Sequence, residues 1–472
     1  MNWEPNRQSH LTIQQQILNW IRERIERGEW TVGMKIPSQR KLALAWKVNR
    51  STVQLVLDEL KAEGLLESKV GSGVYVANNS WNVMLNSVQP NWTRHIESSI
   101  HEPNNHTIQL INEYEQKDNI IRLGTGELSP TLLPTKQLEK SLKSISIEPK
   151  AIGYSPPQGS LKLRQLLCRH LRKRGIQTEA ENILIVSGAL QALQLIAIGV
   201  LEQHSIVFQE QPSYLQSVHP FQSARMRIVP VSLDKKSPQQ LSLLQGKRQS
   251  LLYCIPTLQN PTGRSWSLEK KKQVYDTCKK LRVPLIEDDV YSELLFDRTA
   301  LPIKSFDRSG QVLYIGSVSK TLSPGLRIGW IVGPTPVIER LADIKMQTDY
   351  GSSAFSQEIV AYWLEMGLYD KHIQTLRQQL KKRATFVENI LKKDFKEIAT
   401  WQTSEGGFYI WLRFNKPIVN KAYFLNLLKQ NVLINPGYIY ESNNLHHIRL
   451  SYAYASFEEL TTGLSILRKQ ST

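Results

Sequence analysis

The chain has 472 residues, 41% of them hydrophobic, and 59 Lys and Arg against 42 Asp and Glu give it a net charge of +17. Three scattered cysteines are too few for a disulfide framework or a zinc site, so we expect no metal. Residues 1–11 lack the apolar core of a signal peptide, and no apolar run could span a bilayer. We therefore expect a cytoplasmic protein without membrane contact, and the charge indicates an anionic partner of some kind.

The first 77 residues predict three helices and a hairpin. Isoleucines at helical spacing fill residues 11–28, Ser38 is a candidate N-cap for the second helix, and the third helix begins near Asn49. Two short strands, at residues 65–68 and 74–76, flank a Gly-Ser-Gly turn. This order is typical of a winged helix, whose third helix is the recognition helix.

Side chains suited to DNA lie at the start of that third helix and on the wing. The exposed helix start would meet base edges and phosphates, and nearby basic residues would neutralise phosphates. The candidate DNA-binding residues are Arg40, Lys41, Arg50, Ser51, Thr52, Gln54, Lys69, Gly71, Ser72 and Gly73. The alternative is a helical docking module with an ordinary charged face.

This segment resembles the GntR family of winged-helix regulators along its whole length. The resemblance rests on three motifs, which are Ile36-Pro37-Ser38-Gln39-Arg40-Lys41-Leu42-Ala43, Val48-Asn49-Arg50-Ser51-Thr52-Val53 and Gly71-Ser72-Gly73. It implies binding to a double-stranded DNA operator.

The rest of the chain predicts a linker and an α/β domain. Residues 78–118 are rich in Asn, Ser, His and Gln, and their scattered large apolar side chains favour a linker that docks over part of its length. From residue 119 to 472, short apolar runs alternate with helical stretches, which predicts a mostly parallel sheet covered by helices and a small C-terminal α+β subdomain. We expect three parts: 1–77, 78–118 and 119–472.

One lysine stands between two predicted core strands. Lys320 follows the apolar run 312–316, and a second run, 328–332, comes soon after it. A desolvated amine of this kind forms Schiff bases with aldehydes, and the hydroxyls of Ser317 and Ser319 and the guanidinium of Arg327 suit a phosphate ester. An aldehyde and a phosphate together describe pyridoxal phosphate. The alternative is a solvated loop lysine.

Three other strand ends favour the cofactor. Asp288 would keep the pyridine nitrogen protonated, and Asn260 and Tyr291 would donate hydrogen bonds to the phenolate oxygen. The turn Ser187-Gly188-Ala189 opens a helix whose free N–H groups suit the phosphate. Because ligands bind at the carboxyl ends of strands in open α/β sheets, we expect these residues to meet.

Residues from roughly 120 to 470 resemble a fold-type I, pyridoxal-phosphate-dependent enzyme of the class I/II aminotransferase group. The motifs occur in the family's order and include Asn260-Pro261-Thr262-Gly263, Asp288 with Tyr291, Ser317 with Lys320, and Arg449-Leu450-Ser451. The resemblance implies that Tyr214 lies over the pyridine ring, that Tyr154 reaches the phosphate of the partner subunit in a homodimer, and that Arg449 binds the substrate carboxylate.

A winged helix fused to such a domain resembles the MocR subfamily of GntR regulators. The resemblance implies a transcription factor with pyridoxal phosphate on Lys320, from which a small amino-compound effector displaces the lysine as an external aldimine. One alternative is an active aminotransferase with a DNA-binding domain. Another is a regulator whose large domain only dimerises. The sequence does not identify the effector or the operator.

Overall fold

The computed structural model describes residues 3–7, 9–27, 29–69, 71–77, 99, 101, 104–145, 153–231, 233, 249–297 and 299–471. The chain divides into two compact units, Met1–Ile100 and His101–Thr472. Most of the predicted linker, from residue 78 to 98, lies outside the described residues.

The first unit is a winged helix, as predicted. Its elements are α1 (Ile13–Glu26), α2 (Gln39–Trp46), α3 (Arg50–Ala62), β1 (Leu66–Lys69) and β2 (Gly73–Val76), and the two strands pair antiparallel. Ser38 is the N-cap of α2 and its side chain accepts a hydrogen bond from the Lys41 N–H. One face of α3, with Val53, Val56, Leu57 and Leu60, is buried against α1 and α2, so its other face is open to solvent.

The second unit contains the following described helices and strands. The helices are α4 (His106–Tyr114), α5 (Thr135–Ser144), α6 (Leu161–Arg172), α7 (Ala189–Gly199), α8 (Leu268–Leu281), α9 (Thr335–Thr348), α10 (Ala354–Glu365), α11 (Leu368–Asp394), α12 (Lys421–Lys429) and α13 (Phe457–Gln470). The strands are β3 (Ile121–Arg122), β4 (Ile183–Val186), β5 (Ile206–Gln209), β6 (Arg227–Pro230), β7 (Ser250–Cys254), β8 (Leu285–Asp288), β9 (Val312–Ser317), β10 (Gly329–Val332), β11 (Ala399–Thr400), β12 (Tyr409–Phe414), β13 (Val432–Leu433), β14 (Asn435–Pro436) and β15 (His447–Ser451).

A seven-stranded sheet forms the centre of this unit. Its strand order is β4-β10-β9-β8-β7-β5-β6, and β10 alone in this sheet runs antiparallel to its neighbours. Side chains alternate between the faces: Leu251 and Tyr253 pack with α7 and α9, whereas Leu252 and Cys254 pack with α8. Helices therefore cover both faces, and the prediction of a mostly parallel α/β sheet is confirmed.

A smaller C-terminal sheet has the order β11-β12-β15-β14 and is antiparallel throughout. Helices α11, α12 and α13 pack against it in one apolar core. Helix α4 joins the same core through Ile108 and Ile111, although it lies within the segment predicted as a linker. In the described part of the chain, no helix is long and apolar enough to cross a membrane.

Candidate functional site

The predicted cofactor residues meet because their loops leave the same edge of the large sheet. Strands β7, β8 and β9 are parallel neighbours, with Asp288 opposite Ile315 in the register, so the segments after them begin side by side. Strand β10 runs the other way and pairs with β4, which brings the start of β10 beside the end of β4. A cavity of about 390 Å³ lies at this edge.

Lys320 lies in the loop that follows β9 and lines the cavity. Its Nζ donates a hydrogen bond to the carbonyl oxygen of Gly126 at 2.7 Å. The loop is braced by Ser317, whose Oγ donates to the Ile328 carbonyl at 2.9 Å and accepts from the Ser319 N–H at 3.1 Å. The amine therefore has one backbone hydrogen-bond partner, and it lies in the cavity lining, where a carbonyl compound could reach it.

Asp288 ends β8 and is 3% exposed. Tyr253 on the adjacent strand donates a hydrogen bond to its Oδ2 at 2.8 Å, while its Oδ1 has no partner among the described residues. Burial raises the pKa of Asp288 to about 6, against the lowering effect of the Tyr253 hydrogen bond. A buried carboxylate with an open oxygen is suited to a cationic ring N–H.

An anion-binding corner lies where β4 and β10 meet. Arg327 Nη2 donates to the Ser187 carbonyl at 2.8 Å, and Gly188 is the N-cap of α7 without a side-chain cap. Gly188 has φ +89°, and a Cβ there would lie 2.6 Å from Arg327 Nη2, so only glycine permits this approach. The backbone N–H groups at the start of α7, which begins at Ala189, and the guanidinium of Arg327 together suit a phosphate.

Another part of the cavity lining is built around Arg449 on β15, which is 6% exposed. Its Nη1 donates to Asn260 Oδ1 at 2.9 Å and its Nη2 to the Gly124 carbonyl at 2.6 Å, while its Nε has no partner among the described residues. The guanidinium lies 4.2 Å from the ring centroid of Tyr409, whose hydroxyl is 2.9 Å from that of Tyr291. Asn260 and Tyr291 are thus joined to Arg449 in one polar group.

Tyr214 lines the same cavity, and burial raises its pKa to about 12, so its hydroxyl stays neutral at physiological pH. Tyr154 does not line it. That side chain is 81% exposed, and its ring centroid lies 4.9 Å from that of Tyr350. Its predicted contact with a partner subunit remains a prediction.

The candidate DNA-binding residues lie on the open side of the winged helix. Arg40, Lys41 and Arg50 are exposed and form no ion pair within the part of the chain that the structure describes. Ser51 and Gln54 are also exposed, and Gln54 Nε2 donates to Asp58 at 3.2 Å.

On the wing, Lys69 pairs with Glu67 at 3.5 Å and lies 4.9 Å from the Tyr75 ring centroid. The tip residues Gly71, Ser72 and Gly73 are exposed, and Thr52 is half-buried.

Known protein families match both the first and the second unit of the chain. The family model "Aminotransferase class I and II" matches residues 118–467, and the model "Bacterial regulatory proteins, gntR family" matches residues 13–76. The chain belongs to the MocR subfamily of GntR-type regulators. Its family uses pyridoxal phosphate.

Two relatives are similar to this chain over nine tenths or more of its length. The "Uncharacterized HTH-type transcriptional regulator YisV" of Bacillus subtilis is 46% identical over 466 residues, covering 98% of this chain and 96% of that protein. NorG, an HTH-type transcriptional regulator of Staphylococcus aureus strain USA300, is 39% identical over 438 residues, covering 91% and 98%. The structure of Pyrococcus horikoshii kynurenine aminotransferase superposes with a TM-score of 0.73 at 28% identity, covering 79% of this chain and 95% of that one.

The cavity of this MocR-type chain fits pyridoxal phosphate. Besides Asp288 Oδ1, buried Arg449 Nε and Asn435 Oδ1 also line it without a hydrogen-bond partner among the described residues. Buried polar atoms are rarely left unpaired, so these atoms indicate a ligand. Asp288, Lys320 and Arg327 offer a cation acceptor, an amine and an anion donor to one small molecule.

Sequence reasoning missed several residues of the site. Tyr253, Tyr409 and the Gly126 carbonyl form hydrogen bonds to the predicted residues Asp288, Tyr291 and Lys320. Asn435 and Glu115 also line the cavity. The tyrosines lie inside short apolar runs, where nothing in the sequence distinguishes a cavity residue from a core residue.

Proposed function

We propose that this chain is a pyridoxal-phosphate-dependent transcriptional regulator that binds an operator through its winged helix and responds to a small amino compound at Lys320. The observation that carries the proposal is that Lys320, Asp288 and Arg327 share one cavity in a chain that also has an exposed recognition helix. The relatives named HTH-type transcriptional regulators support the same role.

The cofactor roles follow the chemistry of each side chain. Pyridoxal phosphate, when bound, supplies an aldehyde that condenses with primary amines. In this proposal Asp288 would keep the ring nitrogen protonated, and Lys320 would provide the amine that anchors the cofactor. The residues that would hold the phosphate are Ser187, Gly188, Ala189, Ser317, Ser319 and Arg327. Asn260 and Tyr291 would hold the ring oxygen, and Tyr214 would cover the ring face.

The effector competes with Lys320 and is oriented by Arg449. Since Lys320 Nζ forms a hydrogen bond to a backbone carbonyl, its amine has an alternative partner when an effector amine replaces it. The planar guanidinium of Arg449 presents two donors in a fork that matches a carboxylate. An effector changes DNA binding only if it binds two states of the protein with different affinity.

DNA recognition is proposed for the open face of the winged helix. Arg50 is exposed and forms no ion pair among the described residues. It lies with Ser51, Thr52 and Gln54 at the start of α3, where a recognition helix meets the major groove. Arg40, Lys41 and Lys69 neutralise phosphates, and the hairpin tip 71–73 approaches the backbone. A homodimer, in which Tyr154 reaches the partner's phosphate, would present two such faces to one operator.

The direct test is to reduce the purified protein with borohydride and map the modified peptide. A pyridoxyl group on Lys320 is the expected result, and a group on any other lysine would overturn the cofactor proposal. A titration of the unreduced protein with amines, followed by visible absorption and by binding to DNA upstream of its own gene, then tests the sensor role.

Three further measurements separate the alternatives. Steady turnover with an amino donor and an oxo-acid would instead indicate an aminotransferase. Protein purified without cofactor and unable to take it up would indicate that the large unit only dimerises. DNA binding should fall steeply with salt, because phosphate contacts release counterions.

A further inference from the structure

Helix α4 forms part of the cavity lining, and it contains none of the proposed cofactor-binding residues. Ile108 and Ile111 are buried, and they line the cavity together with Asn112 and with Glu115, the C-cap residue of α4. Apolar side chains followed by a carboxylate form a surface suited to an alkyl chain that ends in a polar group.

The carboxylate of Glu115 is held in a fixed position. Its Oε1 accepts a hydrogen bond from Thr125 Oγ1 at 2.7 Å, and Thr125 itself is 1% exposed. Within the described residues, its second oxygen accepts no hydrogen bond. A half-buried carboxylate with one fixed and one open oxygen is ready to accept a donor from a ligand.

The charges in the cavity define what Glu115 can bind. Burial lowers the pKa of Arg449, but the neighbouring tyrosines and Glu115 raise it above its ordinary value. Among these neighbours Glu115 is the carboxylate, and it lines the cavity. Glu127 adds a second carboxylate to the lining. A second anionic group on the effector would therefore be repelled here.

We propose that Glu115, with Asn112 beside it, recognises a cationic group at the far end of the effector, which makes the effector a basic amino acid with an aliphatic spacer. This rests on the proposed function, since the same molecule places its carboxylate at Arg449 and its reactive amine at Lys320. Ile108 and Ile111 contact the methylene groups between the two ends.

The experiment compares L-lysine with L-norleucine, its uncharged analogue, and with L-glutamate in titrations of the cofactor-loaded protein. Visible absorption reports binding, and operator affinity reports the response. The wild-type protein should bind lysine about tenfold more tightly than norleucine, as expected for one charged hydrogen bond, and glutamate most weakly.

Glu115→Gln should abolish the preference for lysine and leave norleucine binding unchanged, because the amide oxygen can still accept from Thr125. Glu113→Gln is the matched control: Glu113 lies on the same helix but pairs with Lys117 at 2.6 Å and does not line the cavity. Thr125→Val gives a second variant, in which a loosened Glu115 should reduce the preference.

Two results would overturn the inference alone: equal affinity for lysine and norleucine in the wild type, or an undiminished preference in Glu115→Gln. A protein whose spectrum responds to no amine would instead overturn the proposed function, and the inference with it.

Discussion

The cavity and the recognition helix differ in the exposure and hydrogen-bond partners of their charged side chains. In the cavity, Asp288, Arg449 and Lys320 each have partners supplied by the protein, and most of their surface is removed from water. On the recognition helix, Arg50 is exposed and pairs with no acidic side chain among the described residues. One site is preorganised by its own contacts, and the other depends on its ligand for contacts.

This difference should govern the size of mutational effects. Removing one partner of a buried polar pair leaves the other desolvated and unpaired, whereas an exposed side chain is simply rehydrated. Substitutions in the cavity should therefore have large effects, and those on the DNA-binding face graded ones.

The largest effect is expected for Lys320→Ala, which removes the amine that reacts with the cofactor. Borohydride should then fix no pyridoxyl group, although Asp288, Arg327 and Ser317 still allow reversible binding. Mass spectrometry of the reduced protein measures this, and an undiminished adduct would show that a residue other than Lys320 holds the cofactor.

Asp288→Asn should come next, because it removes the acceptor for a cationic ring nitrogen. The loss of one partner from a buried ion pair commonly costs about 3–5 kcal/mol, which predicts cofactor binding weakened by two orders of magnitude or more. Equilibrium titration with pyridoxal phosphate provides the measurement.

The wild-type protein should also bind the cofactor more tightly as pH rises. Burial raises the pKa of Asp288 to about 6, so the carboxyl must lose a proton before it can pair with the ring. Affinity should increase between about pH 5 and 7 and then level off, and Asp288→Asn should lack this rise. By the same linkage, the cofactor-free protein should lose stability as pH increases through about 6.

Arg449→Ala should abolish the effector response while pyridoxal phosphate stays bound and operator affinity without effector stays unchanged. A charged hydrogen bond contributes about 1.5–3 kcal/mol, or tenfold and more in affinity. Arg449→Lys should recover only part of this, since lysine lacks the planar fork. Operator binding with and without effector, at fixed salt, is the measurement, and an unaltered response in Arg449→Ala would contradict the prediction.

On the recognition helix, Arg50→Ala should weaken operator binding by about 1–3 kcal/mol and relax specificity at one position if Arg50 contacts a base. Binding to a panel of single-substitution operators shows whether the loss is local. A uniform loss across the panel would assign Arg50 to a phosphate.

The smallest effect is expected for Lys69→Ala on the wing, because Lys69 is exposed and already pairs with Glu67. It should weaken binding to all sequences alike. The slope of log affinity against log salt concentration should fall by about 1, as expected for the loss of one phosphate contact. A sequence-dependent loss would contradict this assignment.

The sequence predicted the elements that have their own signals. Short apolar runs identified the sheet strands. Lys320 and Asp288 stand out because each lies just beyond an apolar run, and Arg327 because it directly precedes one. The apolar run at residues 283–286 predicts a strand that begins two residues before the observed β8, Leu285–Asp288. Pro284 has no N–H to pair in the sheet, so the strand begins after it.

The rest depends on contacts between distant segments, which a single sequence does not contain. Tyr253 pairs with Asp288 across two strands, and Tyr409 meets Tyr291 from a different sheet. Glu115 lies in a stretch whose polar composition predicts a linker, and only its position against Thr125 and the cavity distinguishes it.

Helix α4 also has a thermodynamic consequence. It begins at His106, a few residues after the boundary between the two units, and it lines the cavity. If ligand contact with α4 alters the affinity of the first unit for DNA by some factor, then DNA must alter the affinity of the cavity for that ligand by the same factor. The occupancy of the cavity would then depend on whether the protein is on its operator, so the effector concentration that the protein detects is set in part by the DNA itself.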